Sequence, residues 1–263
     1  MGKDLGGIAP GKLADILVFD DLKKMKPKKI FVGGKLVVSN GAIVSKIKKH
    51  TVPKWMTRTV KLRKFSEDDF TVKSRASSAN VNVINMKTEI VTEKINENLS
   101  VKDGNVVAST DKDVWKVAAF DRTFGTQKHA IGFLKNFGAK IGAFASTWSF
   151  HENNMIVIGS NEKDMANAAN SLVSAQGGLV IVSEGKILAS MPLQMAGIIS
   201  TDSFETVSEN FANLNMVLTD AGCKFKKPQL IPLFLPFLAL PDIRILGTGL
   251  VDVKNRSFLS VFA

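Results

Sequence analysis

The strongest constraint on the fold lies in the first 45 residues, where short apolar stretches alternate with turn residues. Residues 14–20, ADILVFD, predict one strand, and residues 30–38 predict a hairpin that turns at Gly33-Gly34. Paired glycines accept the positive φ angles of a tight hairpin turn. Pro10-Gly11 predicts a further turn before the first strand. Two or three strands of this length bury too little apolar surface to fold alone, so we expect them to belong to a larger sheet.

A change of pattern between residues 49 and 70 separates this segment from the rest of the chain. The stretch contains Pro53 and charges of both signs, and it has no regular apolar period. These features are typical of a linker between domains. We therefore predict two domains, formed by residues 1–64 and residues 65–263.

The second domain carries both strand and helix patterns. Strands are predicted at residues 81–91, 105–107, 114–120, 141–146 and 155–158, with a turn at Asp103-Gly104 and a hairpin over residues 179–190 that turns at Glu184-Gly185. A short helix is predicted at residues 130–137, ended by Gly138, and a longer one at residues 161–176, capped by Ser160 or Asn161. Such an irregular mixture indicates an α+β or α/β domain.

The clearest helix pattern covers residues 203–221. Asp202 and Glu205 have the spacing of a capping box, and Gly222 is placed to end the helix. Apolar residues recur at steps of three and four, which predicts one buried face. These residues are Phe204, Val207, Phe211, Leu214 and Leu218.

The net charge of +11 is concentrated at one end of the chain. Residues 1–64 hold 16 lysines and arginines against four aspartates, whereas the remaining residues are close to neutral. Lysine runs attract polyanions, but no nucleic-acid-binding motif accompanies them. We therefore expect solvated lysines and no nucleic-acid partner. The runs are Lys23, Lys24, Lys26, Lys28 and Lys29, and Lys46, Lys48 and Lys49.

Neither a membrane nor an oxidising compartment is indicated. The most apolar stretch, residues 230–240, is too short to span a bilayer and contains two prolines. The N-terminus has no apolar signal core, so a cytoplasmic protein is expected. The single cysteine, Cys223, excludes an internal disulfide and a multi-thiolate metal site, and we expect it to be a small buried apolar residue.

Several motifs resemble those of one enzyme family. Residues 6–18, GGIAPGKLADILV, resemble the segment that follows the (β/α)8 barrel in the amidohydrolase superfamily, where the chain returns to a small β-sandwich. Later motifs resemble, in the same order, the C-terminal domain of adenine deaminases. They are IVTEK at 90–94, DGNVVA at 103–108, DR at 121–122, GFLKNFG at 132–138, GAFAS at 142–146, NMIVIGSNEKDM at 154–165, GGLVIVSEGKILASMPLQMAGIIS at 177–200, FLALP at 237–241 and GLVDV at 249–253.

This resemblance implies an α+β fold in which a partial β-sandwich segment precedes a mixed α/β domain, with no (β/α)8 barrel in these 263 residues. It also implies a hydrolytic reaction of purine salvage, in which adenine and water give hypoxanthine and ammonia. Such a reaction needs a metal-bound hydroxide, and a barrel of this kind takes its ligands from acidic groups and an H-x-H pair. Manganese, iron or zinc is therefore expected in the barrel.

The histidines of this chain do not form such a ligand pattern. The sequence contains no H-x-H, and its three histidines, His50, His129 and His151, are widely separated. We therefore expect no cofactor and no metal site within this chain.

One site motif of the family is altered in this sequence. Where the resemblance leads us to expect an HDSHN-like run, residues 150–154 read FHENN, and only Asn154 matches in register. Asn154 is therefore a substrate-facing candidate. His151 and Glu152 are candidates for a pair that transfers protons. The alternative is that His151 and Glu152 belong to a solvated loop.

A second site motif keeps two of its three residues. The E-R-H triplet of the family corresponds to Asp121-Arg122-Thr123, which keeps the acid and the arginine. The resemblance implies that Asp121 and Arg122 face the substrate. The alternative is that Arg122 is a structural ion-pair partner.

Two kinds of function follow from these observations. The chain is expected to be a C-terminal fragment of an adenine deaminase that is inactive alone and pairs with a barrel-bearing subunit. The alternative is a non-catalytic purine-binding or interaction module. The unpaired strands of the first domain also make a homo-oligomer plausible.

Overall fold

A computed structural model describes residues 3–46, 51–149 and 151–263. The chain divides into two compact units, Met1–Thr51 and Val52–Ala263. They are called unit 1 and unit 2 below. His50, Lys48 and Lys49 lie outside the described residues.

Unit 1 contains a four-stranded antiparallel sheet in chain order, as far as the structure describes it. Gly33 and Gly34 have φ angles of 53° and 77°, which confirms the predicted hairpin turn. The amide of Lys12 donates to the carbonyl of Ala9, which confirms the turn at Pro10-Gly11. The strands are β1 (Ile16–Val18), β2 (Lys29–Val32), β3 (Lys35–Ser39) and β4 (Ala42–Ile43).

Both faces of the unit 1 sheet are apolar. Cross-strand partners share a face, and the register gives two apolar rows on opposite faces. One row contains Leu17, Ile30, Val38 and Ile43, and the other contains Ile16, Phe31 and Leu36. None of the described residues of unit 1 is buried. Sheets that are apolar on both faces are normally covered on both, so this one is a candidate for further packing.

The described part of unit 2 is built on a nine-stranded sheet in the order β13-β12-β10-β11-β8-β9-β5-β6-β7. Neighbouring strands are antiparallel except for β5 and β9, which are parallel. The strands are β5 (Ser78–Met86), β6 (Thr92–Lys102), β7 (Asn105–Val106), β8 (Val114–Asp121), β9 (His129–Lys135), β10 (Ala143–Ser146), β11 (Asn154–Gly159), β12 (Gly178–Ser183) and β13 (Lys186–Pro192).

Helices cover the two faces of this sheet. The helix α1 (Glu162–Ala175) packs on the face that carries Val180 and Val182 of β12. The helix α2 (Phe204–Asp220) packs on the opposite face, against Leu179 and Ile181. Alternate residues of one strand therefore enter two separate apolar clusters. A small antiparallel sheet on the α2 side completes the unit, with strands β14 (Ile243–Leu246), β15 (Gly249–Asp252) and β16 (Ser257–Leu259).

The apolar stretch at residues 230–240 folds into short helical turns. A 3₁₀ turn at Pro228–Leu230 leads directly into α3 (Ile231–Phe234), and Ile231, Leu233 and Leu235 are buried. No described helix combines the length and the apolar character needed to cross a membrane.

Local signals in unit 2 predicted several elements correctly. Asn161 caps α1 by accepting from the amide of Asp164, and Gln176 ends the helix in the left-handed conformation. The hairpin turn at Glu184-Gly185 has φ angles of 52° and 75°, as predicted. Cys223 is buried, and burial raises the pKa of its thiol to about 11, as expected for a packing residue.

The predicted helix at residues 130–137 is wrong, because this segment is the strand β9. It lies between β8 and β5, with Phe133 and Leu134 buried on opposite faces of the sheet. A segment that is apolar on both faces has no period that separates strand from helix. The strand β6, which pairs with β5 on the side away from β9, is not predicted either, since its many polar side chains hide its alternation. His129 consequently begins a strand and not a helix.

Two details of α2 also differ from the prediction. Ser203, and not Asp202, caps the helix by accepting from the amide of Thr206. Leu214 and Leu218 are buried as predicted, but Phe204 is 82% exposed because it lies in the first turn, beyond the edge of the packed face.

The boundary between the two units lies at residues 51/52, within the predicted linker. Val60, Leu62 and Phe65 are buried against α1 and the sheet of unit 2. The side-chain amide of Asn170 accepts from the amide of Phe65 at 2.8 Å and donates to its carbonyl at 2.9 Å. The side chain of Gln176 makes the same two contacts with Val60. These bonds hold the predicted linker to unit 2.

Removing one of these amides tests its contribution. We expect Asn170→Ala to lower the free energy of unfolding by about 1–3 kcal/mol, because two backbone groups of Phe65 lose their partner. Asn167→Ala is the matched control, since Asn167 is also half-buried on α1 but makes no side-chain hydrogen bond within the described chain. Urea unfolding measures both. Equal effects of the two substitutions would contradict the proposed role of Asn170.

Candidate functional site

The predicted site residues lie together at one end of the nine-stranded sheet. Asp121 ends β8, and it is the register partner of Asn154, which begins β11. Arg122 follows Asp121, and His151 and Glu152 lie just before Asn154. Phe150, which begins the altered motif, lies outside the described residues. The antiparallel pairing of β8 and β11 therefore brings the two motifs together.

Asp121 does not contact Arg122 as an ion-pair partner. Its Oδ1 accepts from the amide of Thr123 at 3.1 Å, and its Oδ2 accepts from the hydroxyl of Thr126 at 2.8 Å. Both bonds lie within the loop that follows β8. The geometry therefore gives Asp121 a structural role in shaping this loop.

Asn154 is also held by the fold. Its Oδ1 accepts from the amide of Gly247 at 2.9 Å, and its Nδ2 donates to the carbonyl of Glu152 at 3.1 Å. The side chain is buried, so these bonds satisfy groups that water does not reach. Asn154 thus connects β11 to the turn between β14 and β15.

His151 and Glu152 form a contact suited to proton transfer. The Nδ1 atom of His151 lies 2.6 Å from Oε1 of Glu152, and the His151 side chain is 62% exposed. A carboxylate on Nδ1 orients the ring and leaves Nε2 directed elsewhere. The ring of Phe237 lies edge-on to His151, with centroids 5.5 Å apart. This pair is the most exposed ionisable part of the cluster.

Arg122 is a buried cation without a charged partner among the residues that the structure describes. Its side chain is 2% exposed, and Nη2 reaches Oδ1 of Asn153 only at 3.5 Å. Its Nε finds no hydrogen-bond partner among the described residues, and no described carboxylate lies within ion-pair distance. Burial lowers the pKa of Arg122 to about 10, so it stays charged at neutral pH. The structural ion pair considered from the sequence is therefore not formed here.

A loop that the sequence did not identify covers Arg122. The amide of Ala196 donates to the carbonyl of Met56, and the carbonyl of Gly197 accepts from the hydroxyl of Thr147 at 2.7 Å. A Cβ on Gly197 would lie 2.8 Å from Nη1 of Arg122. These contacts join residues far apart in the chain. The one local signal was the glycine itself, within the motif at residues 177–200.

The described residues do not provide a set of metal ligands. His129 stacks on Phe120 with centroids 5.4 Å apart, and its Nδ1 lies 3.2 Å from the carbonyl of Gln127. The Nδ1 of His151 is engaged by Glu152. Across the described residues no group of three or more histidine, cysteine, aspartate or glutamate side chains is placed to hold a metal ion.

A cavity of about 960 Å³ lies elsewhere in unit 2. Its lining includes Trp115, Asp164 and Phe225, and it includes none of the five candidate residues. This cavity and the Arg122 cluster are therefore separate features.

The contact between Gly197 and Arg122 can be tested by adding a methyl group. Gly197 and Gly125 have φ angles of 70° and 69°, so alanine meets the same backbone strain at both, roughly 1–2 kcal/mol. Only at Gly197 does the new Cβ clash, because the nearest atom to a Cβ at Gly125 lies at 3.7 Å. We expect Gly197→Ala to cost about 1–3 kcal/mol more than Gly125→Ala. Thermal and urea unfolding measure this difference, and equal costs would refute the close contact.

Comparisons with known proteins agree with the motifs found in the sequence. The model of the family described as "Adenine deaminase C-terminal domain" matches residues 89–257. The adenine deaminase of Cenarchaeum symbiosum (strain A) is 52% identical over 263 residues, which is all of this chain and 43% of that protein.

More distant relatives give the same result. The adenine deaminase of Clostridium botulinum (strain Loch Maree / Type A3) is 35% identical over 268 residues, covering all of this chain and 44% of that protein. That of Moorella thermoacetica is 32% identical over 256 residues, covering 96% of this chain and 43% of that protein. The chain spans less than half the length of these relatives and corresponds to their C-terminal part. It belongs to the adenine deaminase C-terminal domain family.

Proposed function

We propose that this chain acts as the C-terminal part of an adenine deaminase, which converts adenine and water to hypoxanthine and ammonia in the cytoplasm as a step of purine salvage. The observation that carries this proposal is the similarity to adenine deaminases along the whole chain. In this proposal the catalytic barrel is a separate part, on the same polypeptide or on another.

The proposal makes turnover depend on the barrel. Hydrolysis of an aromatic amine needs an activated water and a set of groups that bind the activating metal. The whole sequence has three histidines and no H-x-H pair, which supports placing that metal, manganese, iron or zinc, on the barrel. This chain alone is then expected to be inactive.

In this proposal the candidate residues of this chain lie at the edge of the active site that the barrel forms. His151 is exposed and oriented by Glu152, so it is suited to exchange a proton with water or with a group presented by the barrel. Asp121 and Asn154 would shape the loops that present this pair, since their polar atoms are occupied by structural bonds.

The exposed apolar sheet of unit 1 also supports the proposal that a further part of the protein packs on this chain. Its small sheet is apolar on both faces and none of its described residues is buried. Strands from the missing part of the sandwich would cover one face and pair with an edge strand. In their absence the same surface would favour a homo-oligomer.

Ammonia release from adenine tests the proposal directly. The purified chain is assayed with added manganese, iron or zinc, with a chelated control, and again after co-expression with the preceding part of the Cenarchaeum symbiosum relative. We expect metal-dependent turnover only with that part present. Turnover by the chain alone would refute its dependence on the barrel, and a folded mixture without complex or turnover would refute the proposed function.

Substitution of His151 tests its role in the active mixture. We expect His151→Gln to lower kcat by about 10²–10⁴-fold, because glutamine keeps a polar side chain but does not exchange a proton. His129→Gln is the matched control, since His129 is also exposed but stacks on Phe120. Steady-state kinetics over a range of pH measure both. An unchanged kcat and pH profile for His151→Gln would show that the pair only belongs to a solvated loop.

The alternative function is a purine-binding module without catalysis. It predicts that adenine or hypoxanthine raises the unfolding midpoint of the isolated chain without any turnover. Differential scanning fluorimetry measures this shift, and a flat titration with both purines would remove the alternative.

A further inference from the structure

We infer that the loops around Arg122 form a docking surface for the barrel-bearing part of an adenine deaminase, and that Arg122 is kept to receive a carboxylate from it. This inference rests on the proposed function and adds the surface and the chemistry of the contact. The loops are defined by residues 54–57, 122–128, 151–154 and 195–199, and are called the Arg122 loops.

The charge of Arg122 is the first observation. Burial of a guanidinium without an anion is costly, and a buried charge is normally paired or fully hydrogen-bonded. Arg122 has one long contact to Asn153 and an Nε without a partner among the described residues. A carboxylate would supply both the missing charge and a planar acceptor for the guanidinium.

The second observation is a group of exposed apolar side chains on the same loops. Trp55 is 73% exposed, Phe124 is 80% exposed, and Ile199 is also exposed. Hydrogen bonds join the segments that carry them. The amide of Ala196 donates to Met56, and the amide of Lys61 donates to the carbonyl of Arg122.

Such a combination fits a protein surface better than a small anion. Large exposed apolar side chains on loops that also carry a desolvated arginine are typical of a protein interface. A free anion would compensate the charge of Arg122 but would leave the side chains of Trp55 and Phe124 exposed to water. The partner is therefore expected to present an apolar patch that carries an aspartate or glutamate.

The chain length of the relatives supports the barrel-bearing part of an adenine deaminase as this partner. The chain covers 43–45% of the length of the adenine deaminases that it matches, so more than half of such a protein is available to cover this surface. Unit 2 already has closed apolar clusters on both faces of its sheet, which leaves the Arg122 loops as an apolar surface that its own core does not use. A second copy of this chain is the competing occupant.

Two residues of the covering segments have unusual backbone conformations. Asn153 and Ala196 have φ angles of 52° and 55°, in the left-handed region that non-glycine residues rarely adopt. Asn153 contacts the guanidinium, and Ala196 precedes Gly197, which lies against it. A carboxylate that displaces Asn153 from its 3.5 Å contact would reach Arg122 without moving the sheet.

Phe124 provides the test of the apolar surface. The affinity of the full chain for the separately produced preceding part of the Cenarchaeum symbiosum relative is measured by titration calorimetry. Phe124→Ser is expected to weaken binding at least tenfold. Phe204→Ser is the matched control, because Phe204 is 82% exposed and lies on α2, outside the Arg122 loops, and its affinity should stay within twofold of the wild type.

Arg122→Met tests the charge with two readouts. If Arg122 is kept for a partner, methionine should leave the unfolding midpoint of the isolated chain unchanged or higher, and binding should weaken at least tenfold. If Arg122 is only structural, the midpoint should fall and the affinity of the remaining folded protein should match the wild type. That second result would overturn the inference.

The outcomes separate the surface from the function on which it rests. An active wild-type complex that Phe124→Ser leaves intact would overturn the docking surface and keep the proposed function. No wild-type complex and no activity would overturn both. Loss of self-association in Phe124→Ser, measured by sedimentation, together with unchanged binding of the barrel part, would assign the surface to a second copy and overturn the inference.

Discussion

The arrangement of unit 2 depends on one buried carboxylate. Asp164, in the first turn of α1, accepts from the amides of Glu184 and Gly185 at 3.0 and 2.8 Å, and so fixes the helix to the turn between β12 and β13. A Cβ at Gly142 would lie 1.9 Å from its Oδ2, so only glycine fits at the start of β10. The N-terminal end of a helix favours a negative charge, which helps to offset the burial of Asp164. The side chain of Asp164 thus joins α1 to the turn between β12 and β13 and lies against Gly142, which precedes β10.

That fixed sheet explains why the candidate residues divide into two groups. The pairing of β8 with β11 places Asp121 and Asn154 side by side, and the fold then occupies their polar atoms with its own amides and hydroxyls. Arg122 and the His151-Glu152 pair lie just beyond the paired strands, outside the backbone hydrogen bonds between β8 and β11. Chemistry or recognition is therefore left to residues one to three positions outside the strands, which is a common arrangement for sites built on loops over a rigid sheet.

The sequence predicts an element correctly where the residues that specify it lie close together in the chain. The helix α1 and the hairpin turn at Glu184-Gly185 depend on caps and turn residues that act within a few positions, and both were found. The prediction of a helix at β9 is wrong partly because one of its two neighbouring strands, the parallel β5, comes from a distant part of the chain. Each of the two site motifs was assigned to the substrate only through its resemblance to a family, and the pairing of β8 with β11 that brings them together was not predicted. The cover of Gly197 over Arg122 joins residues 75 positions apart, and no local pattern could predict it.

The two units differ in how far their own residues stabilise them. Unit 2 has apolar clusters on both faces of its sheet, and its 60–65 segment is held by the side-chain amides of α1. Unit 1 has well-formed turns and a defined register but none of its described residues is buried, so its strands gain little of the apolar burial that normally offsets the loss of backbone entropy. Its turns therefore define the shape of a sheet whose described apolar side chains remain at least partly exposed. The Arg122 cluster, in contrast, lies on a sheet that has apolar clusters on both faces.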